Sequence, residues 1–161
     1  MEIYLMRHAE AVPEFTWDGP DSTRPLSKQG KKALMAAVSS FVKANFQPKC
    51  IVYSTHVRTT QTAEIMKGIV PGVSVFAHSE IASGARVDKF IQLMQQYKLM
   101  APILFVGHMP DVAMAAARLI PDPYLLEKRF EPAEIMAVKI TNWENPLMMG
   151  QFLWSKTLNQ W

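Results

Sequence analysis

Cysteine is almost missing from the chain: Cys50 stands alone among 161 residues. Without a second thiol no internal disulfide can form, so stability must come from a packed core, and a reducing compartment suits the protein. Long apolar runs are missing as well, and none approaches membrane-spanning length. The chain opens directly on a short apolar segment, which leaves no room for a basic and then apolar leader. Nor is charge of one sign gathered anywhere. Seventeen Lys and Arg against fourteen Asp and Glu leave a net charge of +3, and the basic residues are scattered. Polybasic binding to nucleic acid or to an anionic membrane is thereby excluded.

What remains is an ordinary globular composition, 49% hydrophobic and 19% charged. A chain of this length buries roughly 70% of the surface its unfolded form exposes, enough for one real core. No repeat, low-complexity tract or dividing linker interrupts it. We therefore expect a single domain over residues 1–161, located in the cytoplasm.

Four apolar, partly β-branched runs read as buried strands: Ile3–Met6, Cys50–Tyr53, Val73–Phe76 and Ile103–Val106. Helical spacing separates them. Leu34, Ala37, Val38, Phe41 and Val42 share one face behind a Ser27 N-cap. Ala63, Ile65 and Met66 mark a second helix. Val87, Phe90, Ile91, Met94 and Tyr97 mark a third, and Asp111 to Leu119 follows Pro110, which suits a first helical turn. Past Pro121 the pattern weakens: Ile135 to Ile140 alternates only loosely, and Phe152-Leu153-Trp154 is a short final strand candidate. Strands alternating with helices predict an α/β fold, a three-layer α/β/α sandwich with a mostly parallel central sheet.

The strand ends carry the chemistry. Arg7 and His8 follow the first strand, Ser54 and Arg58 the second, and Gly107-His108 the fourth. If the strands are parallel, two guanidinium groups and two imidazoles converge at their carboxyl ends, where ligands bind in open α/β sheets. Such a gathering of cationic groups calls for an anion. Arginine forks match phosphate oxygens bidentately, so the pocket fits a phosphoryl group. Glycine before His108 is read as letting the backbone approach a ligand closely.

Arg7-His8-Ala9-Glu10, Ser54-x-x-x-Arg58-Thr59-x-x-Thr62-Ala63 and Val106-Gly107-His108 together resemble the histidine phosphatase superfamily, the phosphoglycerate-mutase-like proteins, over roughly residues 1 to 120. The small size and the segment Asp21-x-x-Arg24-Pro25-Leu26-Ser27-x-x-Gly30 are most similar to the short phosphohistidine phosphatases of the SixA type. The resemblance implies a phosphoglycerate-mutase-like fold. It also implies that His8 is the nucleophile and that Arg7, Arg58 and His108 hold the phosphoryl group. A neutral imidazole attacks phosphorus in line, and water then hydrolyses the phosphohistidine. Neighbouring Arg7 and Arg58 should lower the His8 pKa and keep its free base available. A backbone carbonyl is expected to fix its tautomer. The scheme uses no metal and no cofactor.

Glu80, after the third strand, stands at about the place where ester-cleaving members keep their acid. The surrounding Ser79-Glu80-Ile81 departs from the mutase pattern. A weak acid position favours P–N over P–O substrates, because an imidazole leaves more readily than an alkoxide. The expected substrate is thus a phosphohistidine on a partner protein, with a small phosphomonoester as the alternative within the same superfamily. Arg24 either reaches the substrate or pins its loop; Ser54 joins the phosphate site or binds the backbone of its own turn. Glu10 partners an arginine or is a solvated acid. His56 and His78 read as exposed loop histidines, Met66 and Met94 as core, and the four tryptophans as packing, with the site mouth as the alternative for Trp17 in the loop after the first strand. A cysteine phosphatase needs an Arg six residues after its Cys, and position 56 is a histidine. A metal site built from His8, Glu80, His108 and Asp111 lacks ligand spacing and faces arginines that repel a cation. A noncatalytic phosphate-binding module is the alternative from another class.

Overall fold

The first strand lies deep inside the sheet. In the computed structural model, which describes residues 1–161, β1 (Glu2–Arg7) pairs in parallel with β4 (Ile103–Gly107) on one side and antiparallel with β5 (Ile135–Ile140) on the other. Strand β2 (Cys50–Ser54) pairs with β4 and with β3 (Ser74–His78), both in parallel, and β6 (Gly150–Lys156) closes the far edge antiparallel to β5. The six strands run in the order β3-β2-β4-β1-β5-β6. The four that precede candidate site residues or loops are the parallel ones, so their carboxyl ends share one edge.

Alternate residues of β1 face opposite layers. Ile3 and Leu5 pack with Phe90, Met94, Val112 and Leu119 of α3 (Val87–Gln96) and α4 (Asp111–Leu119). Tyr4 and Met6 pack with Leu34, Phe41 and Met66 of α1 (Lys28–Lys43) and α2 (Val57–Lys67). Helices therefore cover both faces, giving the expected three layers. Ser27 caps α1, its hydroxyl accepting from the Gly30 amide at 2.8 Å. Gly30 is required for another reason: a Cβ there would stand 2.2 Å from the Glu10 carbonyl oxygen. The absent side chain lets the start of α1 press against the loop leaving β1.

The structure corrects several expectations. Residues 135–140 form a fully paired strand, buried everywhere except Lys139, because β5 lies between β1 and β6 with both faces covered and has no need to alternate. The final strand is longer than Phe152–Trp154, and β3 starts at Ser74. Val42 points outward at 55% exposure although it shares helical spacing with buried Phe41. Arg58 belongs to the first turn of α2 and not to a strand end. No helix is long and apolar enough to cross a membrane.

Candidate active site

Sheet register assembles the site. Arg7 is the Cα partner of Gly107 across the parallel β1–β4 pair, so His8 and His108 emerge side by side, ring centroids 5.4 Å apart. The His8 amide donates to the Gly107 carbonyl at 3.0 Å, continuing the ladder one residue past the strands. Helix α2 then clamps the turn: Thr62 Oγ1 accepts from the Ala9 amide at 3.1 Å and donates to the Arg58 carbonyl at 2.7 Å. Arg58, 2% exposed, reaches across so that its Nε donates to His8 Nε2 at 3.2 Å. Arg7, His8, Arg58 and His108 are thus brought together on the wall of a cavity of about 370 Å³.

His8 is held as one tautomer. Its Nδ1 lies 2.7 Å from the Ala9 carbonyl oxygen, which can only accept, so Nδ1 carries the proton and Nε2 keeps its lone pair. The expected backbone carbonyl is therefore that of the next residue. The ring's pKa is pushed down to about 3, first by burial and then by the guanidinium groups of Arg58, Arg7 and Arg24, with the Ala9 bond working against them. Arg7 and Arg58 lower it as expected, and desolvation adds a larger contribution that the sequence does not show. The ring is a free base across the neutral range.

His108 is also neutral, its pKa pushed down to about 2 by burial and by the neighbouring His8 and Arg58. Ser54 Oγ sits 2.8 Å from His108 Nε2 and accepts from the His56 amide at 3.3 Å, which keeps its hydroxyl proton free to go to the imidazole. With that proton donated in a hydrogen bond to Nε2, the ring proton of His108 sits on Nδ1, which is buried with no protein partner. Ser54 does not line the cavity but stands behind His108. Arg7 Nη1 donates to the Phe130 carbonyl at 2.7 Å, while its Nε, also buried, finds no partner. The segment behind Phe130 is anchored by Glu134, a carboxylate only 2% exposed that meets Lys128, the Ser155 hydroxyl and the Glu131 amide.

Arg24 reaches the cavity and also pins its loop, donating to the Val12 carbonyl at 2.9 Å and to Asp21 Oδ1 at 2.8 Å. Glu10 lines the cavity and accepts from the Ser27 hydroxyl at 2.8 Å, partnering a serine and no arginine. Glu80 is not brought in. It is exposed on the turn Ser79–Ile81, whose Ile81 is buried, with its Oε2 3.3 Å from His78 Nδ1, and Ser83 lines the cavity in its stead. The sequence places it one turn too early, since the loop after β3 returns to the site only at Ser83. Trp17 also stays off the cavity wall, donating through Nε1 to the Pro20 carbonyl at 3.2 Å.

Three residues were missed. His56 is no exposed loop histidine: its side chain is 15% exposed and its ring lies 4.7 Å from that of His108. Glu14 contributes to the cavity wall from the turn Glu14–Thr16. Asp21 meets both Arg24 and Arg58. Its three-residue spacing from Arg24 was a legible signal for an ion pair, whereas its contact with Arg58 was not. Gly107 also has a different purpose from the one expected. A Cβ there would meet Val112 Cγ1 at 3.0 Å and Phe90 at 3.3 Å, so the glycine admits core side chains and not a ligand. No group of three His, Cys, Asp or Glu side chains is arranged to hold a metal ion.

No family model matches the chain, and no curated protein matches its sequence. Solved structures do match its shape. The protein histidine phosphatase SixA complexed with tungstate superposes with a TM-score of 0.85 at 21% identity, over 99% of this chain and 98% of that one. A protein from Agrobacterium tumefaciens provisionally assigned as a phosphohistidine phosphatase SixA gives 0.82 at 19% identity, with 97% of both chains covered. The alpha-ribazole phosphatase of Shigella flexneri gives 0.78 at 15% identity, covering 98% and 97%. The chain therefore has the phosphoglycerate-mutase-like fold of the histidine phosphatases, in the short form that SixA represents.

Proposed function

We propose that the protein is a phosphohistidine phosphatase acting through a covalent phospho-His8 intermediate. The observation that carries this reading is the His8 Nε2 lone pair, fixed by the Ala9 carbonyl and set between Arg58 and His108. Nε2 attacks the phosphorus of a phosphohistidine, the P–N bond to the partner's imidazole breaks, and that imidazole leaves with the bonding pair and takes up a proton. Water then attacks the phosphorus of phospho-His8, giving inorganic phosphate and free Nε2. Arg7, Arg58 and His108 stabilise the equatorial oxygens through both steps, since phosphoryl transfer is mostly positioning and electrostatics. On this reading the unpartnered Arg7 Nε and His108 Nδ1 are donors kept for those oxygens. Ser54 acts through His108, and Arg24 sets the positive potential of the rim.

One feature favours a phosphohistidine on a protein over a small ester. A second hollow of about 770 Å³, half of its lining apolar, continues from Arg7 and Met109 past Met114 and Leu126 to Phe130, giving room for a protein surface around the phosphorylated side chain. A small-molecule phosphatase is the second reading, favoured by the likeness in shape to the alpha-ribazole phosphatase. The lone cysteine, buried Cys50, suits the cytoplasm, where such a signalling partner would be met.

The test compares kcat/KM on a phosphohistidine-bearing carrier protein with that on a panel of small phosphomonoesters, in chelator. We expect preference for the carrier and a loss of at least about 1000-fold in His8→Ala, as for removal of a covalent nucleophile. Preference for one ester would move the protein to the small-molecule branch. Activity that survived His8→Ala would overturn the mechanism.

A further inference from the structure

One carboxylate lies among the cations of the site without being needed by the mechanism above. Asp21 opens the turn Asp21–Thr23, which follows Pro20 and is closed by the Thr23 amide and hydroxyl on the Pro20 carbonyl at 2.9 and 2.8 Å. Its side chain is 42% exposed, so apolar burial does not hold it there. Arginines do. Oδ1 accepts from Arg24, Oδ2 accepts from Arg58 Nη2 at 2.8 Å, and the Asp21 backbone carbonyl accepts from Arg58 Nη1 at 2.7 Å.

The guanidinium is planar, with its five N–H groups in fixed directions. Asp21 takes one hydrogen from each terminal nitrogen and so occupies the end of the fork. The edge formed by Nε and the other Nη2 hydrogen is left, and its Nε–H is the one on His8 Nε2 at 3.2 Å. We propose that Asp21 is a positioning residue, gripping Arg58 by its tip so that the guanidinium presents its Nε edge to the attacking nitrogen of His8. There it stands beside the atom that will attack, ready to pass from the lone pair to an oxygen of an arriving phosphoryl group. Released from Asp21, a four-bond side chain would sample other rotamers, and the tip, with its two equivalent nitrogens, would compete for the anion. The inference rests on His8 being the nucleophile.

A competing role for Asp21 gives the opposite outcome. A carboxylate that merely repelled anions or competed for Arg58 would, on removal, tighten anion binding. The experiment uses Asp21→Ala and Asp21→Asn in the full chain, with tungstate for affinity and phosphoramidate as a small P–N donor for the single-turnover rate of His8 phosphorylation. Asp21→Ala should slow transfer roughly 10- to 100-fold, as expected for a misplaced charged donor, and weaken tungstate binding about tenfold. Asp21→Asn keeps an oxygen for Arg58 and should recover transfer to within about fivefold of the parent protein. The 15N resonance of His8 Nε2 should move toward that of a free imine nitrogen in Asp21→Ala only, a change that loss of loop stability would not produce. Equal or tighter tungstate binding with an unchanged transfer rate would overturn the proposal. So would a loss in Asp21→Ala that Asp21→Asn shares in full. If the parent protein itself takes no phosphoryl group on His8, the underlying reading falls and this inference with it; if the parent is labelled and Asp21→Ala equals it, this inference alone falls.

Discussion

His8 and His108 each lie one residue beyond the paired positions Arg7 and Gly107 of neighbouring parallel strands, and their rings come within 5.4 Å. Two imidazoles so close, with the Arg58 guanidinium between them and the helix layer, cannot share the space as cations. Both are accordingly buried as free bases, and this state depends on pH.

Stability should fall on mild acidification. The folded pKa values of about 3 for His8 and about 2 for His108 lie far below the unfolded value of about 6.5. Between those limits the unfolded chain binds protons that the folded chain does not, so the free energy of unfolding decreases as pH falls below 6.5. By pH 5, before most carboxylates titrate, the loss should be about 2 kcal/mol for each imidazole. Urea midpoints at pH 7.5 and 5 measure it, and His108→Gln should flatten the dependence. A midpoint unchanged between these pH values would mean that the imidazoles accept protons in place.

Ser54→Ala removes the hydroxyl that orients His108. Nε2 would be left buried and unpaired, which should cost about 1–3 kcal/mol of stability. Transfer should slow about tenfold as the His108 ring loses its fixed tautomer. Calorimetry and single-turnover kinetics report the two effects separately, and normal kinetics would show that His108 keeps its orientation without Ser54.

Glu80→Gln should leave turnover of phosphohistidine and of any accepted ester within about twofold, the range of an exposed substitution. Its carboxylate faces His78 and solvent. A tenfold loss confined to esters would return Glu80 to the role of leaving-group acid.

Gly30→Ala tests the packing that supports the loop after β1. The new methyl would meet the Glu10 carbonyl oxygen at 2.2 Å, against backbone that cannot swing aside. Stability should drop by about 2–3 kcal/mol, the usual scale of overpacking, with a fall in kcat because Glu10 and His8 share that loop. Chemical denaturation and initial rates check both, and a variant as stable as the parent would show that the loop adapts freely.

Much of this fold was legible because the parallel strands are short apolar runs with abrupt polar ends, and because the candidates Arg7, His8, Ser54, Arg58 and His108 lie within a few residues of such an end. Arg7, His8 and His108 follow directly from that pattern; Arg58 follows less directly, since helix α2 starts before it. Strand β5 was hard to read because a strand buried on both faces has no alternation to detect. Asp21, His56 and Glu14 lie on irregular backbone whose path is set by tertiary contacts, and no period in the sequence records where such a turn will aim a side chain. Glu80 failed for the same reason in reverse: its position along the chain is near the site, but the turn carrying it bends away.

The contact between Arg58 Nε and His8 Nε2 also bears on chemical selectivity. A lone pair already engaged by a cationic donor is a poor target for a neutral electrophile, such as an acyl or alkyl reagent, which offers the guanidinium nothing in exchange. An oxyanion offers it a stronger acceptor. On the proposed reading, the group that draws Arg58 away would then present its phosphorus to the nitrogen so uncovered, and the reagent able to free that lone pair is the one the site would attack.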